Sequence, residues 1–339
     1  MRKLALLTMT AVVLLCTLFS VPSYAELNVD AADSKVNSEL DSTVMDQVKA
    51  AVKQVAPDNN IKPDIHVIVE DRDGIKLEGE LSQPAAKFSI FYDKKKQRVN
   101  HTSVYYQIQQ QEMVLDDALQ NKITNFKKTF EDKKYPFKFD SFWRIKSPYQ
   151  DNEPRNYWVF WGVDQALEID LDKGNRITAH QSFSLKQIDA KLLAKATKAI
   201  NQLNYSDKID ITYVSRMRNE QDGSFFWYFY DRYEHNYIKI GVLTNKVWEA
   251  EATNIDWFDE KDFAKSFAKP KYSPTKAISI ASVSVKALFN VNLTGYKVKV
   301  KLNEYTFTRD KQATIIGKIN KKGQFYSLKM IPSAGALIQ

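Results

Sequence analysis

Four histidines, His66, His101, His180 and His235, have the widest chemical reach in this chain, and they stand singly, far apart in sequence. A zinc site draws two or three ligands from a short spacing or a single element, and hydrolysis adds a glutamate base; no His-Glu-x-x-His occurs here. Nucleophilic catalysis fares no better. There is no Gly-x-Ser-x-Gly elbow and no Ser-x-x-Lys with matching partners, and the single cysteine, Cys16, lies inside an N-terminal apolar run. The ten glycines are scattered and form neither Gly-x-Gly-x-x-Gly nor a P-loop, so no phosphate cradle is indicated. Two acidic groups, Glu70 with Asp71 and Asp73, and Asp256 with Asp259, Glu260 and Asp262, could offer oxygens to calcium but lack the full loop pattern. The expectation is a protein that is no enzyme, holds no metal and needs no cofactor.

Binding chemistry is better represented. Tyr157-Trp158-Val159-Phe160-Trp161 and Phe225-Phe226-Trp227-Tyr228-Phe229-Tyr230 are aromatic strands about 69 residues apart. Because strand side chains alternate, both faces of each are apolar. The candidate binding residues are Trp158, Trp161, Phe226, Trp227, Tyr228 and Tyr230. Two roles suit them: a core joining neighbouring units, or an aromatic groove for a peptide or glycan.

The elements that must position these residues come in a repeating order. Hairpin turns recur at Asp93 to Arg98, Asp172 to Arg176, Thr244 to Lys246 and Asn320 to Gln324, with steps of 79, 72 and 77 residues measured from Asp93, Asp172, Thr244 and Lys321. Asp, Asn and Gly tolerate the left-handed backbone angles that such turns require. Apolar strands flank every turn, and Leu167, Ile169 and Leu171 alternate with Glu168 and Asp170, the pattern of a sheet with one wet face. Ahead of each hairpin lies an amphipathic stretch, with apolar residues at Val44, Val48, Ala51 and Val55; at Leu115, Leu119, Ile123 and Phe126; at Ile188, Leu192, Ala196 and Ile200; and at Ile278, Ala281, Val285 and Leu288. Asp41-Ser42 and Ser273-Pro274 supply helix starts. The expected fold class is α+β: tandem repeats of one helix packed on a small antiparallel sheet. The boundaries are 26–110, 111–185, 186–258 and 259–339 for four units, which could pair into two domains, after a signal segment over 1–25.

That segment has Arg2 and Lys3 before an apolar run from Leu4 to Phe19, then Pro22 and Ser23-Tyr24-Ala25, the order of a cleaved secretory signal. Cys16 follows Leu15, where lipid attachment would need a small residue, so it reads as part of the run. Removal of the segment leaves no cysteine and no stable membrane span, and the protein is expected to be secreted, with possible retention at the cell wall. The net charge is +8, or +6 without Arg2 and Lys3. Only Lys94-Lys95-Lys96 cluster, in an expected turn, which reads as solvation, and export together with the lack of a basic helix or a recognised motif counts against nucleic acid as a partner.

The helix, strands and hairpin of Trp158-Val159-Phe160-Trp161 and Leu167-Glu168-Ile169-Asp170-Leu171-Asp172-Lys173-Gly174-Asn175-Arg176-Ile177 resemble the PepSY and YcdB/YcdC-type repeats of proteins exported by Gram-positive bacteria. The resemblance implies helix-on-sheet units and a non-enzymatic binding role, such as chaperoning or inhibiting a secreted protease, or binding an envelope component. It brings no catalytic residues. A strand from a partner could add to a free sheet edge. The alternative expectation is a basic, wall-associated structural or adhesion protein held by anionic wall polymers.

Overall fold

A computed structural model describes residues 40–56, 63–70, 72–132, 134–147, 155–203, 209–252, 260–333 and 338. The signal segment over 1–25 lies outside them, as do Asp71, Asp256 and Asp259. Among the described residues no helix is long and apolar enough to cross a membrane.

The chain order is a helix followed by four strands, four times over. The first group is α1 (Ser42–Lys53), β1 (Asp64–Glu70), β2 (Gly74–Ser82), β3 (Ala85–Asp93) and β4 (Arg98–Gln107). The second is the short α2 (Gln111–Val114), then α3 (Asp117–Phe130), β5 (Ser141–Ser147), β6 (Arg155–Gly162), β7 (Gln165–Asp170) and β8 (Arg176–Phe183). The third is α4 (Ala190–Asn201), β9 (Tyr213–Asn219), β10 (Ser224–Tyr230), β11 (Asn236–Gly241) and β12 (Val247–Ala252). The fourth is α5 (Glu260–Ser266), α6 (Pro274–Phe289), β13 (Lys297–Lys301), β14 (Glu304–Thr308), β15 (Thr314–Ile319) and β16 (Phe325–Ile331).

Each long helix begins where a short polar side chain can take up its orphan amide groups. Asp41 accepts from the Thr43 N–H at 2.7 Å, Asp116 from Leu119 at 2.8 Å, and Asp189 from Lys191 and Leu192 at 2.9 and 3.1 Å. Ser273 caps α6, whose first residue is Pro274, and Asn290 ends it in the left-handed conformation. The stripes that face the sheet are Val48 and Val52 on α1, Leu119, Ile123, Phe126 and Phe130 on α3, Ala196, Ala199 and Ile200 on α4, and Ala277, Ala281, Val285 and Leu288 on α6. In the β7–β8 turn, Gly174 and Asn175 both take positive φ, 70° and 59°. That is the demand which put Gly and Asn there.

The assembly of these elements corrects the expected fold class. Among the described residues there are no separate small sheets. All sixteen strands form one antiparallel sheet in the order β1 to β12, then β16, β15, β14, β13. β4 pairs with β5 through Val104 opposite Arg144 and Tyr106 opposite Phe142, and β8 pairs with β9 through Ala179 opposite Arg218. The last strand of one group would otherwise expose a row of unpaired backbone amides and carbonyls, and the first strand of the next group takes them up. The resemblance to PepSY-type repeats fails on the same ground, because those are units of one helix on a sheet of its own. The fourth group also reverses: α5 and α6 carry the chain across to the far edge, and the strands return until β16 meets β12 at Ala250 opposite Leu328.

Beneath the helices lie two hydrophobic cores. One joins α1, α3 and the strands to β8 around Leu77, Ile90, Val104, Phe142, Phe160 and Leu167, with Phe225 reaching in from β10. The other joins α4 and α6 to the later strands around Phe229, Ile238, Ala250, Ile315 and Leu328. Open twisted sheets rarely exceed about ten strands as a single layer with one core.

Candidate functional site

Strand alternation and register divide every residue of the sheet between two faces. On one face, Leu77, Ile90, Val104, Phe142, Phe160, Leu167, Phe229 and Ile238 are fully buried under the helices. The opposite face carries no helix among the described residues. Register carries one row across that open face, from Ser141 through Trp161, Ala166, His180, Met217 and Phe226 to Gly241. A second runs from Ser182 through Ser215, Tyr228, Lys239, Glu249, Lys329, Ile316 and Thr306 to Lys299.

The six aromatic candidates therefore separate. Trp158 and Trp227 point to the helix side: Trp158 packs at 5.7 Å from Phe142 with the Arg144 guanidinium 5.6 Å from its ring, and Trp227 lies 5.3 Å from Phe183. Trp161, Phe226, Tyr228 and Tyr230 lie on the open face. The aromatic strands are not neighbours in the sheet, yet Trp158 and Phe160 of β6 share the first core with Phe225 of β10, so the two strands contribute buried rings to packing that joins the second and third groups. β6 and β10 are separated by β7, β8 and β9, and the second and third groups join at β8–β9.

Around the open-face rings is a cluster that sequence reasoning did not single out. Tyr213 stacks on Tyr230 at 5.4 Å, Tyr230 on Tyr228 at 4.9 Å, and Tyr237 packs on Tyr228 at 5.4 Å. Lys239 lies between 5.3 and 5.8 Å from the ring centres of Tyr237, Phe226 and Tyr228. Its Nζ donates to Glu249 Oε2 at 2.9 Å, and Lys329 approaches the same oxygen at 3.9 Å. The Tyr237 hydroxyl is 2.8 Å from Glu249 Oε1 and 3.3 Å from Glu251 Oε2, so it ties the two carboxyls together. Farther along the face, Tyr105 meets Trp143 edge to face at 5.6 Å. The available signal was the alternation of Tyr213, Ser215 and Met217 on β9 and of Tyr237 and Lys239 on β11.

Electrostatics follow from this partial burial. Burial pushes Glu249 up, but Lys239 and Lys329 outweigh it and hold the carboxyl below the usual range. Glu251 is raised by burial despite Lys318. Burial raises the Tyr237 hydroxyl, and Glu249 and Glu251 add to the shift. On the β7–β8 part of the face, burial raises Glu168 with help from Asp170, and it depresses His180 to about 4. His101, also lowered by burial and by Arg155, has its Nδ1 2.8 Å from Ser147 Oγ. His66 is on β1, 3.8 Å from Asp64, and His235 is in the β10–β11 turn, so the four histidines do not converge. Among the described residues no group of three or more His, Cys, Asp or Glu side chains could hold a metal ion.

The arrangement suits recognition by rings, hydroxyls and fixed charges. In mid-sheet most backbone amides and carbonyls are committed to neighbouring strands, so a ligand there meets mainly side chains. Compared with known proteins, the chain matches no family model, no curated protein and no solved structure.

Proposed function

We propose that this is an exported, non-enzymatic binding protein that holds an extended envelope glycan across the open face of its sheet. One observation carries the reading. All the long helices cover one face, while Trp143, Tyr157, Trp161, Phe226, Tyr230 and Tyr237 stay partly accessible on the other. Sugar rings present C–H faces that pack on aromatic rings and hydroxyls that meet Tyr, Lys and Glu, whereas a peptide strand would seek an unpaired edge. Those edges, β1 and β13, lie away from the aromatic rows. A protease-directed role came only with the resemblance that the single sheet overturns, and no residue of the open face speaks for it.

The test is co-sedimentation of the full chain with purified peptidoglycan sacculi, comparing wild type with Trp161→Ala and Tyr230→Ala. Loss of a stacked ring should weaken binding roughly tenfold, about 1.4 kcal/mol. Circular dichroism checks that each variant is folded. Unchanged sedimentation of both variants, or no sedimentation of the wild type, would sink the proposal.

A further inference from the structure

Strand β13 reads Lys297-Val298-Lys299-Val300-Lys301, and its lysines are exposed while the valines between them are half-buried on the helix side. It is also a sheet edge. Register places Lys301 opposite Glu304 and Lys299 opposite Thr306, then Glu304 opposite Lys318 and Thr306 opposite Ile316, which faces Lys329 on β16. All five lysines thus share the open face. Among the described residues, Lys297, Lys299 and Lys301 make no ion pair, while Lys329 leans toward Glu249 at 3.9 Å.

Lysines on an edge strand also discourage sheet-to-sheet aggregation. That role does not account for Lys318 and Lys329, which sit on inner strands with both neighbours paired. Nor does it account for β1, the other edge, which reads Asp64-Ile65-His66-Val67-Ile68-Val69-Glu70 without a lysine. At this end of the open face the unpaired positive charge among the described residues is therefore concentrated on β13 itself, since Lys318 and Lys329 lie beside Glu251 and Glu249 and only Glu304 faces the ladder from β14.

We propose that this lysine ladder binds an anionic phosphodiester polymer whose phosphates are separated by three carbons, laid along β13. Alternate residues of a strand are separated by six backbone bonds and about 6.6 Å. A phosphodiester chain with a three-carbon spacer also has six backbone bonds per repeat, so an extended segment brings successive phosphates opposite Lys297, Lys299 and Lys301. Single-stranded nucleic acid shares that backbone count, but its binding sites add rings on which bases stack. Beside the lysines, β14 offers Thr306 and Thr308 and no ring on that side. The ladder lies beyond the aromatic rows and is separate from the glycan reading.

The experiment titrates fluorescently labelled poly(glycerol phosphate) with the full chain over a range of salt. Three neutralised phosphates give a log–log salt slope of about −2. The variant Lys297→Ser/Lys299→Ser/Lys301→Ser should lose at least about tenfold in affinity and most of the slope. A control carrying Lys49→Ser/Lys53→Ser/Lys128→Ser, with the same net charge but lysines removed from α1 and α3, should bind as wild type. Equal loss in the control, unchanged binding by the β13 variant, or tighter binding of oligothymidylate than of poly(glycerol phosphate) would overturn the proposal. The Lys299→Glu variant guards against misfolding, because one exposed reversal leaves the edge charged yet should still weaken binding. None of these changes touches Trp161 or Tyr230, so the result stands apart from the sacculus experiment.

Discussion

Replacing Arg216 by alanine should destabilise the protein by about 3 kcal/mol and uncouple its two halves. Arg216 sits on β9 on the helix side, its side chain 4% exposed, with its guanidinium 5.0 Å from the Phe130 ring and 5.5 Å from both Phe183 and Trp227. Nη2 donates to Gln181 Oε1 at 3.0 Å, and Asp132 lies 3.9 Å away. Phe130 belongs to the first core and Phe183 to the second, so this cation bridges the seam between them. A desolvated cation over aromatic rings contributes about 2 kcal/mol, shared among the three rings rather than counted three times. The charged hydrogen bond adds about 1.5 kcal/mol, and relief of the cation's burial returns part of the total. Methionine is the informative comparison: it keeps the stem packed on the rings and removes the buried charge, so Arg216→Met should cost about 1 kcal/mol or less. Guanidinium unfolding followed by circular dichroism and tryptophan fluorescence reads both variants. The alanine variant should show separated transitions where the wild type shows one. A loss under about 1 kcal/mol for alanine, or an equal loss for methionine, would refute the bridging argument.

Three further outcomes follow from single contacts. A Cβ at Gly79 would collide with the Asp64 carbonyl and meet the Phe88 ring at 2.6 Å, so Gly79→Ala should cost about 1–3 kcal/mol and raise amide exchange over β1 before the rest of the sheet. His180 takes up its proton near pH 4 folded but near 6.5 unfolded, so stability falls as pH drops from about 6.5 to about 4. The shift corresponds to about 3 kcal/mol, with His101 acting in the same direction; urea midpoints of His180→Asn should show a flatter profile there, and parallel profiles would contradict it. Lys239→Met leaves Glu249 buried with the Tyr237 hydroxyl and, as its remaining cation, the more distant Lys329, at a cost of about 3 kcal/mol, and the added change Glu249→Gln should recover most of it in a double-mutant cycle.

Much of the local architecture was readable because short-range periodicity encodes it. Val48, and Leu119, Ile123 and Phe126, recur at helical spacing and mark the stripes that α1 and α3 bury, although on α1 it is Val52 and not the expected Ala51 that is fully covered. Asp41, Asp116, Asp189 and Ser273 cap helices through bonds two or three residues away. The β4–β5, β8–β9 and β12–β16 joins are different. They match backbone edges that lie tens of residues apart, and a free edge accepts any strand with compatible side chains.

The binding face shows the same limit at single residues. In Tyr157 to Trp161 and Phe225 to Tyr230, apolar residues fill both parities, so alternation shows that Trp158 and Trp161 oppose each other without showing which is covered. The sequence alone determined the helices, the hairpins and the isolation of the histidines along the chain, since each depends on neighbours a few residues away. Only the tertiary structure decided that four groups share one sheet and that their helices all cover one face. It alone brought Tyr237, Lys239, Glu249, Glu251 and Lys329 together, because the packing of α1, α3, α4 and α6 leaves the other face open and long-range register aligns its residues across strands.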